Sequence, residues 1–316
     1  VIGSFVGASP GPLVIVIAGI HGNEPSGVLA VEQVLAALHA GRPAMHGALV
    51  GLAGNLAALA QDTRYVAGDL NRRWRRERVT AARAGLLPLV DAEDREQVEL
   101  LAALDGWLAR PRGGPAVILD LHSFSAEGAP FSVTTDAPES LAMARAFELP
   151  AIVALEHHIR GTIIELARDE GLAVVGVEAG THGDPETVVR HRACIELALV
   201  ESGALRTRAL PGLEAGRAAL RAAAAGLPSA VEVVHRHHIG EGAGFRMRPG
   251  FRNLHPVAVG EHLADDRLGP IGAPLSGWLL MPLYQGAGED GFFLARELPV
   301  EDPSGRPFTP AGGSAR

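Results

Sequence analysis

Cysteine is almost missing: Cys194 is the single one in 316 residues, so no internal disulfide can form and no thiolate cluster can hold a metal. Any metal site must draw on histidine and carboxylate, and the chain has 13 histidines. Positive charge is also in short supply, with 28 Lys and Arg against 36 Asp and Glu and a formal charge of -8. That balance argues against a nucleic-acid partner, because phosphate binding requires a basic face that releases counterions. Long apolar runs are lacking too. The longest, Leu13 to Ile20, falls far short of the roughly 20 residues of a membrane helix, and no charged start and cleavage site precede it. The chain therefore reads as soluble and cytoplasmic, without a membrane partner. No GxxxxGK[ST] phosphate loop occurs. What is abundant is hydrophobic residues, 47% of the total, enough for one large domain and one small one.

The run from Leu13 to Gly19 is β-branched and closes on glycine, as a buried parallel strand does, and an apolar helical pattern follows from Val28 to Leu38. A second strand spans Gly47 to Gly54, a polar, arginine-rich loop runs from Gln61 to about Arg78, and Asp91 to Leu108 reads as an amphipathic helix. Ala116 to His122 is an apolar strand ending in ionisable residues. Further strands fit Pro130 to Thr134 and Leu172 to Val177, with helices at Pro138 to Phe147, Ile159 to Glu170 and Glu186 to Glu201. Such alternation predicts an α/β fold with a mixed, largely parallel sheet flanked by helices, its ligands gathered at the carboxyl ends of the strands. The texture changes after about residue 205. An alanine-rich stretch, 213 to 226, precedes short β-like pieces at Val231, His255 and Gly277 that are broken by Gly and Pro. The expected division is a catalytic α/β domain over 1–205 and a connecting helix with a small C-terminal all-β domain over 206–316. The tail after about Pro303, rich in Gly, Pro and Ser, reads as loose.

Three candidate metal ligands stand at predicted strand ends: His21 and Glu24 in His-Gly-Asn-Glu, and His122 in Asp-Leu-His. Two histidines and one carboxylate are a typical zinc set in hydrolases and leave a fourth position for water. A His and a Glu three residues apart in a tight loop can meet on one ion, with Gly22 relieving crowding. Asp120, two residues before His122 on a strand, shares its face and suits the free ring nitrogen. His235 and His237 point to one side of a strand and His238 to the other, so they read as lining residues. Cys194 reads as a packing residue in an apolar helix.

Taken together, Gly19-Ile-His-Gly-Asn-Glu-Pro-Ser-Gly27, Gly68-Asp-Leu-Asn-Arg72, Asp120-Leu-His-Ser123 and Val177-Glu-Ala-Gly180 resemble the succinylglutamate desuccinylase and aspartoacylase family, in order and in spacing. The resemblance is strong over about residues 10 to 200 and weaker beyond. It implies a zinc carboxypeptidase-like α/β fold, one Zn2+ per chain on His21, Glu24 and His122, and hydrolysis of an amide joining an acyl group to an amino acid or similar amine. It also implies Glu178 as the carboxylate that activates water, Arg64 as the group that polarises the scissile carbonyl, and Asn71 and Arg72 as contacts to a substrate carboxylate. Tyr284 is a candidate hydrogen-bond donor to the substrate from the C-terminal part, and Arg160 and Arg168 are candidates for a second carboxylate contact. The expected partner is a small anionic molecule; the oligomeric state, a homo-oligomer included, stays open. Competing readings share the metal: a metallocarboxypeptidase or peptidoglycan-type amidase with a longer cleft, or a non-catalytic zinc-containing binding module. Structural zinc sites favour four protein ligands and cysteine, whereas here three ligands stand beside a fourth carboxylate, which favours an enzyme.

Overall fold

The apolar run at Leu13 is buried on both faces because it forms an inner strand of a large sheet. The computed structural model describes residues 1–286 and 288–298; the tail expected to be loose lies outside the described residues. In chain order the elements are β1 (Gly3–Val6), β2 (Ser9–Ala18), α1 (Ser26–Gly41), β3 (His46–Ala53), α2 (Leu56–Leu59), α3 (Arg76–Arg83), α4 (Ala92–Leu108), β4 (Ala116–Phe124) and β5 (Phe131–Thr134). Then follow α5 (Pro138–Ala146), β6 (Ala151–Val153), α6 (Ile163–Asp169), β7 (Ala173–Thr181), α7 (Pro185–Glu201), α8 (Leu213–Ala223) and β8 (Ala230–His238). The C-terminal part holds β9 (Arg246–Met247), β10 (His255–Val257), β11 (His262–Asp266), β12 (Gly269–Gly272), β13 (Gly277–Leu280) and β14 (Asp290–Glu297).

Eleven strands make one sheet in the order β1-β3-β2-β4-β7-β5-β6-β8-β14-β13-β10, and β12-β11-β9 make a second. The strands β3, β2, β4 and β7 run parallel, and β1, β10, β13 and β14 add antiparallel pairings at the flanks. Side chains alternate across the sheet. Val14, Val16, Val117 and Leu119 face the layer of α1 and α7, while Ile15, Ile17 and Ile118 face Leu100 and Leu104 of α4 and Ile163 of α6. Full burial of each such side chain contributes about 1.5–3 kcal/mol, and cover on both faces is why these strands read as near-continuous apolar runs. Cys194 is buried in the α1–α7 layer.

Beyond residue 205, α8 packs on α7 with Leu213 and Leu220 buried, and β8 pairs with β6, so the large sheet continues into the C-terminal strands. A separate apolar cluster that includes Met247, Leu263, Leu279 and Phe292 sits among those strands. His235 and His237 pack on Phe292, with ring centroids 6.1 Å and 4.9 Å away.

Several boundaries differ from the sequence pattern for local reasons. The strands β4 and β7 pair beyond the apolar runs that announced them, so His122 lies inside its strand rather than at the end of it and Glu178 inside its strand rather than after it. The helix expected from Ile159 starts at Ile163: Thr162 caps it by accepting from the Glu165 N–H, and Gly161 before it has φ of +75°. The polar segment from 61 to 78 contains a helical turn at Leu70–Arg72 and the start of α3. Both β1 and β6 were too short to leave a pattern.

The arginine-rich segment is held by buried carboxylates at the start of α4. Arg73 donates to Asp91 and to Asp94 at 2.8 Å and 2.6 Å, and Trp74 is 1% exposed. Glu93 is fully buried and accepts from the N–H groups of Val66 and Ala67 at 2.7 Å and 3.0 Å and from Asn55 at 3.2 Å. Burial opposes its charge, yet these donors hold its carboxyl below the ordinary glutamate range. Glu93→Ala is expected to cost about 2–4 kcal/mol, because it strands three donors that the carboxylate satisfies. Urea unfolding of both proteins measures this, and a loss below about 0.5 kcal/mol would refute the anchoring role.

Candidate metal centre and its pocket

The loop after β2 turns sharply enough to bring His21 and Glu24 together, with the Glu24 N–H donating to the His21 carbonyl at 3.2 Å. Gly22 is required for close approach: a Cβ there would lie 2.1 Å from the Ala58 carbonyl carbon in α2. The third member, His122, comes from β4. The His21 Nδ1 lies 2.9 Å from Glu24 Oε1, the His122 Nδ1 lies 3.1 Å from Glu24 Oε2, and the ring centroids are 5.0 Å apart. The Ser123 N–H also donates to Glu24 Oε2 at 3.0 Å. All three side chains are buried, and their ligand atoms fall within 4.8 Å of one another, so they can hold a metal ion.

The outward nitrogens are held as well. The His21 Nε2 is 3.1 Å from Asp69 Oδ1, and Asp69 in turn accepts from Arg64 Nη2 at 2.9 Å and from the Asn71 N–H at 2.8 Å. The His122 Nε2 is 3.0 Å from Asp120 Oδ2 and 3.2 Å from Asn71 Nδ2. With Nε2 engaged on each ring, Nδ1 is the atom free to ligate, and carboxylates behind the imidazoles raise their basicity. Burial works against the charge of Glu24, but His21 and His122 hold its carboxyl well below the usual range; burial likewise opposes a charged His122, but Asp120 and Glu24 raise it. A cation entering here would take the place of ring protons. Behind His122, the buried His191 of α7 lies with Nε2 3.0 Å from its carbonyl, and burial pushes that ring down to about 4, so it stays neutral.

Parallel pairing of β4 with β7 sets His122 opposite Glu178 and Asp120 opposite Gly176. Glu178 therefore faces the same pocket as the ligand group, and its Oε2 is buried without a protein partner. Burial pushes its carboxyl up to about 8, His122 and Arg64 partly offsetting this. A bound cation beside it would draw that value down. Arg64 lies 3.8 Å from Glu24 and lines the pocket with Asn71 and Arg72. Asn71 Oδ1 accepts the Ile163 N–H at 2.9 Å, and Arg72 Nη2 donates to Asp290 of β14 at 3.0 Å.

Of the residues singled out in the sequence, His21, Glu24, Arg64, Asn71, Arg72, His122 and Glu178 line one pocket of about 930 Å³, its mouth included. Tyr284 does not line it. Its hydroxyl is taken by a neighbouring turn, 2.8 Å from the Arg248 carbonyl and 2.9 Å from that of Phe251 while accepting the Phe251 N–H, which leaves no reach toward the site. Arg160 and Arg168 turn to Glu165 and Asp169 instead of the pocket. Sequence reasoning passed over Asp69, although it stands inside the Gly-Asp-Leu-Asn-Arg motif, and also Asp290 and Gln285, which reach the pocket from the C-terminal part. Gln285 accepts from Asn23 at 3.2 Å, tying that part to the metal-site loop.

These features define an α/β protein whose pocket, at the carboxyl ends of parallel strands, carries a His-Glu-His group that could hold a metal ion. The profile of the succinylglutamate desuccinylase/aspartoacylase catalytic domain matches residues 10–184, more than half of the chain. The chain belongs to that family of amide hydrolases. A succinylglutamate desuccinylase of Erwinia tasmaniensis is 47% identical over 64 residues, an alignment that covers 19% of this chain and only 20% of that relative. Among solved structures, a succinylglutamate desuccinylase/aspartoacylase from Rhodobacter sphaeroides superposes with a TM-score of 0.64 at 20% identity, covering 92% of this chain and 87% of the other. The product-bound ectoine utilization protein EutE (DoeB) from Ruegeria pomeroyi gives 0.63 at 18% identity, covering 93% and 87%. At such identities the likeness is one of fold. Within the described residues no helix is long and apolar enough to cross a membrane.

The ligand set generates a direct test. His122→Ala is expected to abolish retention of a divalent metal after dialysis, and Asp69→Asn to weaken metal affinity about 10- to 100-fold by releasing the His21 ring. Elemental analysis of the variants, with folding checked by circular dichroism, decides it; full metal content in His122→Ala would remove His122 from the set.

Proposed function

We propose that this chain is a zinc-dependent hydrolase that cleaves the amide bond of an N-acyl amino acid or a similar small carboxylate-bearing amide. The observation that carries the reading is the register of β4 and β7, which puts Glu178 beside His122 in the pocket where Arg64, Asn71 and Arg72 converge. Zinc on two imidazoles and a carboxylate would supply the positive charge that lowers the pKa of a water toward about 7 and polarises a carbonyl.

The residues of the chain do the rest. Glu178 Oε2, buried and without a protein partner, takes the proton of the attacking water and returns it to the departing nitrogen, a general acid/base contribution of about 10²- to 10⁴-fold. Arg64, fixed by Asp69, keeps its charge near the ligand group and donates to the carbonyl oxygen as negative charge develops there. Asn71 and Arg72 orient the substrate through its carboxylate; a planar guanidinium is suited to that task. Among the described residues the ligand group contains no fourth side chain, which suits catalysis better than a closed structural site.

Glu178→Gln is expected to keep its zinc and lose at least about 100-fold in kcat, while Arg64→Ala loses kcat with metal retained. Rates on a panel of N-acyl amino acids, measured alongside metal content, test both. Undiminished kcat in Glu178→Gln would refute the assignment of the base.

A further inference from the structure

We infer that the amino-acid half of the substrate carries an apolar side chain and a single carboxylate, so that the substrate is an N-acyl derivative of an amino acid such as leucine or methionine rather than of a dicarboxylic amino acid. The inference rests on the amide-hydrolase reading of the same pocket.

The wall next to the carboxylate grip is apolar. Asn71 is bonded to the Ile163 backbone, and Gly161 lies so close to Arg72 that a Cβ on it would be 2.3 Å from the Arg72 carbonyl oxygen. The segment 155–164 is thus the immediate neighbour of Asn71 and Arg72, and it lines the pocket with Leu155, Ile159 and Ile164 and with Thr162, whose hydroxyl is engaged in capping α6. The facing floor is the cross-strand pair Gly176 and Val133, with Phe293 entering from β14. Whatever branches from the carbon that bears the substrate carboxylate meets these groups.

Charge points the same way. The arginines lining the pocket, among the described residues, are Arg64 and Arg72. Arg64 is committed to Asp69 at 2.9 Å. Arg72 shares Asp290 with Arg236, whose Nε is 2.5 Å from Asp290 Oδ1, so two guanidiniums and one carboxylate leave one net positive charge for one substrate carboxylate. Arg160 and Arg168, the cations of the neighbouring segment, have side chains 62% and 30% exposed and bond Glu165 and Asp169. A second substrate carboxylate would be desolvated against Leu155, Ile159 and Val133 with no further arginine lining the pocket among the described residues, close to Asp120 beside Gly176.

The test uses the full chain loaded with zinc. The expected result is a kcat/KM for N-acetyl-L-leucine and N-acetyl-L-methionine at least about 100-fold above that for N-acetyl-L-aspartate and N-succinyl-L-glutamate. Equal or greater activity on the dicarboxylic substrates overturns the inference and leaves the amide-hydrolase reading standing. Titration calorimetry on zinc-loaded Glu178→Gln separates binding from turnover, and the inference also requires N-acetyl-L-leucine to bind more tightly than N-acetyl-L-aspartate. Tighter binding of the aspartate derivative, or binding of neither, overturns it. Ile159→Ala, whose folding is checked by its Tm, is expected to raise KM about tenfold for N-acetyl-L-leucine and to leave N-acetyl-L-alanine nearly unchanged. Equal loss on both would remove Ile159 from the side-chain wall.

Discussion

The in-register pairing of β4 with β7 is the constraint on which the site depends. It sets a metal-ligand candidate, His122, against a carboxylate, Glu178, and one step back it sets Asp120 against Gly176, all on the face that α4 and α6 cover. Because side chains alternate with a period of two, a slip of one residue in either strand would turn His122 or Glu178 into the α1–α7 layer and bring Leu121 or Val177 to the pocket. The hydrophobic pattern forbids that slip. Leu119, Leu121, Val175 and Val177 fill one apolar layer, and a slip would press an ionisable side chain into it without a partner. The placement of His122 beside Glu178 is thereby enforced by residues that have no chemistry of their own.

Around this pair, buried carboxylates convert loops into fixed supports. Asp69 holds His21, Arg64 and the Asn71 backbone at once, and Glu93 holds the chain at Val66 and Ala67 just before it. Burial of Asp69 favours its neutral form, but His21 and Arg64 hold its carboxyl far below the usual range, so it keeps its charge where the imidazole needs a partner. Glu178 is the contrast. Burial dominates there and raises its proton affinity, which is the environment a group needs if it is to accept a proton and later give it back. Two buried carboxylates thus differ in proton affinity because different neighbours face them.

Much of this was legible in the sequence where a pattern was local. The run from Ala116 to His122 carried its own evidence: apolar residues for a buried strand, then Asp and His two apart and so on one face. His-Gly-Asn-Glu likewise announced a tight loop, and the close approach of α2 at Gly22 gives the glycine its reason. What was not legible depended on distant partners. Asp290 lies 218 residues from Arg72, and nothing in the Gly-rich segment before it marks it as the partner of that arginine. Tyr284 looked suited to the substrate from its residue type, yet a turn at 248–251 captures its hydroxyl. The starts of helices follow the same rule in miniature, since the apolar pattern from Ile159 ran through Gly161 and Thr162, whose backbone and capping chemistry end it.

The C-terminal strands bear directly on what the pocket can hold. They deliver Asp290, Phe293 and Gln285 to its wall, so the carboxylate grip on Arg72 is tuned from outside the region that holds the metal ligands. Asp290 lies between Arg72 and Arg236 and lowers the local charge from two positive to one. Replacing it by a neutral residue would leave two guanidiniums close together, a repulsion relieved only by a second anion. Under the proposed function, the identity of residue 290 would set how many negative charges the substrate end supplies, while the His21–Glu24–His122 group and Glu178 would act on the bond that is broken.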